Sequence, residues 1–194
     1  MKMVFSIVFM TLTVLRCGHP PAPGKNTGQS KREYSTPDTT PTDQINLTQS
    51  SIRLRNLFTL PDAERILGEK AHLSDSALTI KEDTLAYKCA YTANATDQKT
   101  GKTGNIYFMV EQFAKVSIAQ YIYSSIKRAN ENHEGVKVLH DLGDEAYFHS
   151  DRQNFYFILV RKGEKLLRMK VNKTTSATSL DEFNSIARNI TAVL

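Results

Sequence analysis

The chain has 194 residues, of which 40% are hydrophobic, 9% aromatic and 23% charged, with a formal net charge of +5, two cysteines and no tryptophan. Those figures leave room for one folded domain and exclude a collagenous chain, a disulfide-stapled miniprotein and a multi-span membrane protein. The composition is uneven, because residues 18–50 hold five of the six prolines and only four hydrophobic residues, Ala22, Tyr34, Ile45 and Leu47.

Lys2 supplies an early positive charge, and Val4 to Leu15 is a twelve-residue apolar run broken only by Ser6, Thr11 and Thr13. As a helix that run spans ~18 Å at ~1.5 Å per residue, short of the ~30 Å hydrocarbon core of a bilayer. A charged start, a short apolar stretch and a polar sequel are the layout of a signal peptide, expected over residues 1–16. The cysteine that follows at once, after Val14-Leu15-Arg16, resembles the lipobox of bacterial lipoproteins. Val14 and Leu15 suit its −3 and −2 positions, and Arg16 stands at −1, where the family usually carries Gly, Ala or Ser. The resemblance implies a diacylglyceryl group on Cys17 and a protein exported and anchored to a bacterial cell envelope, facing the periplasm or the surface. Several buried acyl chains, at ~0.8 kcal/mol per CH₂, anchor without spanning.

Residues 17–50 read as the lipidated cysteine and a disordered tether. Their Pro, Ser and Thr content leaves too little apolar surface to offset the ordering entropy. At ~5–6 Å × √n such a tether has a root-mean-square span of roughly 30 Å, enough to hold a domain clear of lipid headgroups.

Residues 51–194 read as a single α+β domain. Thr59-Leu60-Pro61-Asp62 opens a short helix that Ile66-Leu67-Gly68 closes. Ala77 to Lys81 and Thr84 to Ala95 are extended, the second with Leu85, Tyr87, Cys89 and Tyr91 alternating on one face. A polar stretch from Asp97 to Gly104 turns the chain into a third strand, Asn105 to Phe113. Ile118, Tyr121, Ile122, Ser125, Ile126 and Ala129 recur at helical spacing and predict an amphipathic helix from Val116 to about Asn132. Four further strands are expected at Val136 to Leu139, Glu145 to His149, Asn154 to Arg161 and Lys165 to Val171. Ser179-Leu180-Asp181-Glu182 then forms a capping box. It opens a last helix with Leu180, Phe183, Ile186, Ala187 and Ile190 inward. The expected architecture is an antiparallel sheet of about six or seven strands with three helices packed mainly on one face.

Three local features, the helix end Leu67-Gly68, the strand motif Cys89-Ala90-Tyr91 and the turn Leu142-Gly143-Asp144-Glu145-Ala146-Tyr147, together resemble small extracytoplasmic lipoprotein domains of bacteria, several of which have PsbP-like α+β folds. The resemblance covers about residues 57–194. It implies an accessory or binding role in the envelope and carries over no catalytic residue. Related domains often pair the strand cysteine with a second, which residues 57–194 lack.

Signals for chemistry are sparse. Cys89 alternates with core-type residues and reads as a buried, inert thiol. His19, His72, His133, His140 and His149 form no close ligand spacing, so no metal is expected. No cofactor is expected either, because Gly101-Lys102-Thr103-Gly104 lacks phosphate-loop spacing and reads as a hairpin tip. An alternative role, an envelope hydrolase or small-ligand binder, would need the fold to assemble groups such as His140, Asp144, Tyr147 and His149.

One surface feature stands out. Arg161, Lys162, Lys165, Arg168, Lys170 and Lys173 place six cations on one hairpin with only Glu164 opposing. That pattern makes a candidate face for an anionic envelope partner, at ~1 kcal/mol per cation near an anionic surface. The net charge of residues 51–194 is only +3, and nucleic acid is not an expected partner for an exported chain with so small a surplus. The sequence thus predicts a non-catalytic, lipid-anchored envelope protein that binds an envelope protein or an anionic envelope component.

Overall fold

A computed structural model describes residues 49–81 and 84–194. The expected signal peptide, Cys17 and the tether up to residue 48 lie outside the described residues. Residues 49–55 are helical, so Gln49 and Ser50 belong with the fold and not with the tether. The reason lies just downstream, where Leu54 and Phe58 are buried in the core.

Helix α1, Leu60–Leu67, starts where Pro61 and an acidic first turn predict. The Asp62 carboxylate accepts from both the backbone N–H and the hydroxyl of Thr59, at 3.0 and 2.7 Å. Gly68 ends the helix at φ +73°, and a Cβ there would lie 2.2 Å from the Ala177 carbonyl oxygen. Only glycine meets both the left-handed backbone and the close approach.

Strands β1, Ala71–Lys81, β2, Thr84–Ala93, and β3, Asn105–Phe113, follow, then helix α2, Val116–Asn130. Strands β4, Val136–Leu139, β5, Glu145–Ser150, β6, Tyr156–Lys162, and β7, Lys165–Lys173, precede the last helix, α3, Leu180–Val193. All seven strands form one antiparallel sheet in the order β1-β2-β3-β7-β6-β5-β4. The α+β class and the strand number agree with the sequence reading. The largest difference in extent is β1, which begins six residues earlier than Ala77. His72 to Ser76 are exposed, so they lack the alternation by which a half-buried strand is recognised.

The helices do not share a face. α1 and α3 pack on the first face, against Tyr87, Cys89 and Tyr91 of β2, Ile106, Phe108 and Val110 of β3, and Leu167, Met169 and Val171 of β7. α2 packs on the second face, where Phe113, Tyr147, Leu159 and Leu166 meet Ala119 and Tyr123. Residue parity decides the division, since successive side chains of a strand point to opposite sides of the sheet. In β6, Ile158 and Val160 serve the first face and Leu159 the second, and all three are buried. The inner stripe of α2 also runs one step from the expected one. Ala119 and Tyr123 are buried, Ile118, Ile122 and Ile126 lie partly buried beside them, and Tyr121 is 74% exposed.

Candidate binding surface

α2 contacts β3, β6 and β7, and among the described residues part of the second face is left open. The open strip runs across β1, β2 and β3. Strand register brings Asp75, Ala90 and Tyr107 into one row and Ala77, Lys88 and Met109 into the next. These two rows continue into Lys170 and Arg168 of β7. Asp75 is exposed and the other members are half-buried, with Ala77 opposite Lys88 on β1.

The strip is electrostatically organised. Lys88 Nζ lies 2.8 Å from an Asp75 carboxylate oxygen, and that carboxylate holds the ammonium above its ordinary range. The Tyr107 hydroxyl donates to Met109 Sδ at 3.0 Å. Burial raises the Tyr107 phenol, against the pull of Arg168 and Lys88. At the margin under α2, Arg168 meets Glu111 at 2.7 Å. The contact is an ion pair without an aligned hydrogen bond, and Glu111 Oε2 and Arg168 Nε have no hydrogen-bond partner among the described residues. Burial raises the Glu111 carboxyl, opposed by Arg168. The neighbouring Tyr147 hydroxyl is buried and also unpartnered, and burial pushes its phenol up to about 12. Each buried polar group left without a partner costs ~1–3 kcal/mol of stability.

The six hairpin cations do not make a common face. Arg161 is buried, with Nε donating to Glu145 at 2.6 Å and Nη1 to Asp144 at 2.7 Å. It ties the turn before β5 to the β6–β7 hairpin. Gly143 sits in that turn at φ +62°, with a Cβ position 2.5 Å from the Arg161 carbonyl oxygen. Lys162 and Lys165 lie on the first face and reach the C-terminal end of α3. Lys162 donates to the carbonyls of Thr191 and Ala192 at 2.9 and 3.1 Å, and Lys165 to that of Leu194. Arg53 joins them at Val193, 2.7 Å away. Three cations thus serve the negative end of one helix dipole. Arg168 pairs with Glu111, Lys170 stands 5.6 Å over the Phe155 ring, and Lys173 is exposed. A run of cations in a hairpin distributes over both faces because of the two-residue period, and neighbouring elements then recruit them one by one.

His140, Asp144, Tyr147 and His149 are not brought together. Asp144 is held by Arg161, His140 is exposed and Tyr147 is enclosed beneath α2. His149 packs 4.9 Å edge-on to Phe155 and 5.6 Å from His133, and burial together with His133 lowers its imidazole. Cys89 is buried, and its thiol is pushed up to about 11 by burial. Among the described residues no group of three or more His, Cys, Asp or Glu is placed to hold a metal, and no helix is long and apolar enough to cross a membrane.

Comparison of the chain with protein-family models, curated proteins and solved structures gave no match. The surface must therefore be read from its own chemistry. Asp75, Lys88, Tyr107 and Met109 were not singled out as site residues by sequence reasoning. The available signal was the alternation of β2, which turns Lys88 away from the core that holds Cys89.

Proposed function

We propose that the chain is a lipid-anchored cell-envelope protein whose α+β domain binds an envelope partner without catalysing a reaction. The observation that carries the binding half is the open strip on the second sheet face. It combines a phenol and a thioether with the Lys88–Asp75 pair and the Arg168 guanidinium. Tyr, Met and Arg are enriched where proteins meet, because Tyr and Met bring large apolar contact area and Tyr and Arg add hydrogen-bond donors to it. Mixed charge on the strip favours a protein partner over a uniformly anionic polymer, and four of the six hairpin cations, Arg161, Lys162, Lys165 and Arg168, are engaged within the fold. The anchoring half rests on Lys2, the Val4 to Leu15 run and Cys17.

Metabolic labelling with an alkyne fatty acid tests the anchor. Label in the wild type and none in Cys17→Ser is expected, whereas an unlabelled and freely soluble wild type overturns it. Crosslinking and pull-down from membranes tests the strip. Proteins recovered with the wild type should be lost with Lys88→Glu and Tyr107→Ala. Equal recovery with both variants removes the strip as the binding surface, and a co-purifying metabolite without a protein partner overturns the non-catalytic reading.

A further inference from the structure

We propose that the chain forms a two-fold dimer through its β1 edges, in which residues 75–81 of two copies pair antiparallel about Leu78 to join the two sheets.

The sheet has unequal edges. β4 is four residues long and β1 eleven, and among the described residues β1 pairs only with β2. Long edges are a known hazard that folded chains cover, shorten or charge. In β1 a bulge between Leu73 and Asp75 interrupts the register with β2, so the regular stretch is 75–81. Its free backbone can be assigned. Ala93 N–H donates to the Gly104 carbonyl, so odd-numbered residues of β2 bond β3 and even-numbered ones bond β1. Asp75, Ala77, Thr79 and Lys81 therefore bond β2. Ser76, Leu78 and Ile80 turn their N–H and C=O groups outward.

The side chains select both the occupant and the register. A two-fold axis through Leu78 sets Ser76 opposite Ile80 of the other copy and Leu78 opposite Leu78. Each outward-facing residue then meets another, giving roughly six main-chain hydrogen bonds, two per such opposed pair. The same register sets Asp75 opposite Lys81 of the second copy, twice, on the open face. These are sites without cross-strand hydrogen bonds, where side chains approach most closely. Moving the axis to Ala77 sets Asp75 opposite Thr79 and Lys81 opposite Leu73, beyond the bulge. On the helix face, Ile80, 56% exposed, and the half-buried Leu78 gain apolar neighbours. Asp75 keeps its contact with Lys88 and accepts a second cation. Because the axis is perpendicular to the sheet, the two open strips become one continuous surface.

The dimer does not depend on lipid at Cys17, so the test uses the full chain in mild detergent with Cys17→Ser throughout. Ser76→Cys chains are mixed with Ile80→Cys chains and oxidised. Opposed residues about 5.5 Å apart at Cα lie within disulfide range. The mixture should crosslink at least ten-fold more than either chain alone, and sedimentation of the Cys17→Ser chain should show a concentration-dependent dimer. Lys81→Glu should weaken that dimer roughly ten-fold or more by setting like charges across the seam, and Asp75→Lys combined with Lys81→Glu should restore it. A chain that stays monomeric at all concentrations overturns the proposal. So does crosslinking no greater in the mixture than in the single chains, or an unrelated protein held on β1 in place of a second copy.

Discussion

Strands β2 and β6 lie in one sheet and are buried in different ways. In β2 every second residue is buried, from Leu85 to Ala93, while the residues between them are half-exposed. In β6 four consecutive residues, Ile158 to Arg161, are buried. The difference reports what lies above each. Among the described residues the main helix contact of β2 is with α1 on its first face, and β6 sits between α3 on one side and α2 on the other. Alternation thus marks a strand with one free face, and a continuous apolar run marks a strand with none. The strip proposed to bind a partner lies at the alternating end of the sheet, where the second face of β2 is not part of the core.

Substitutions at neighbouring positions can break this contrast. Phe108 is fully buried, stacked 5.1 Å from Phe58. Phe108→Ala should cost ~3–5 kcal/mol in chemical denaturation. Leu159 is equally buried, beneath α2, and Leu159→Ala should cost ~2–4 kcal/mol, showing that the second face is a true core at the β6 end. Arg161→Met removes a buried guanidinium but leaves Asp144 and Glu145 half-exposed and able to hydrate. A loss of ~2 kcal/mol is expected, seen as a lowered denaturation midpoint at unchanged slope.

A smaller effect is expected from pH. Burial works to raise the Asp151 carboxyl, but bonds from Asn154, Gln153 and Phe155 outweigh it and hold the group down at about 2. A carboxylate lowered on folding stabilises the native chain above its ordinary value of 3.8 and loses that contribution as pH falls toward 2. Asp97 is lowered in the same sense, by donors from Ser176, Thr100 and Lys99. The stability difference between wild type and Asp151→Asn should therefore shrink between pH 4 and about pH 2, and an unchanged difference across that window would refute the assignment. Smallest of all, Tyr107→Ala, adjacent to Phe108 on the opposite face, should shift stability by less than ~1 kcal/mol. A loss comparable to that of Phe108→Ala would show that the strip is core and not surface.

Much of the local structure was legible in the chain. Thr59 with Asp62, Gly68 and the Ser179 cap mark helix ends because the chemistry is local, involving groups within a few residues. The β3 limits were legible for a similar reason, with apolar alternation bounded by polar turns. His72 to Ser76 carry no strand signal in the sequence, because an edge strand with both faces wet need not alternate. Helical spacing alone turns Tyr121 inward, since it admits two adjacent stripes and only contact with Tyr147 and Leu159 selects between them.

The hairpin cations show where local reading ends. Six basic residues within thirteen positions are visible in the sequence. Four of them find partners in Asp144, Glu145, Glu111 and the carbonyls at the end of α3, some far along the chain. The sequence by itself determined the α+β class, the seven strands in outline, the buried thiol at Cys89 and the helix termini, because hydrophobic period and capping act over a few residues. Tertiary structure alone decided which face each helix covers, which cations are already spoken for and which side of the sheet stays open. Those outcomes depend on strand order and register, where residues far apart in the chain become neighbours.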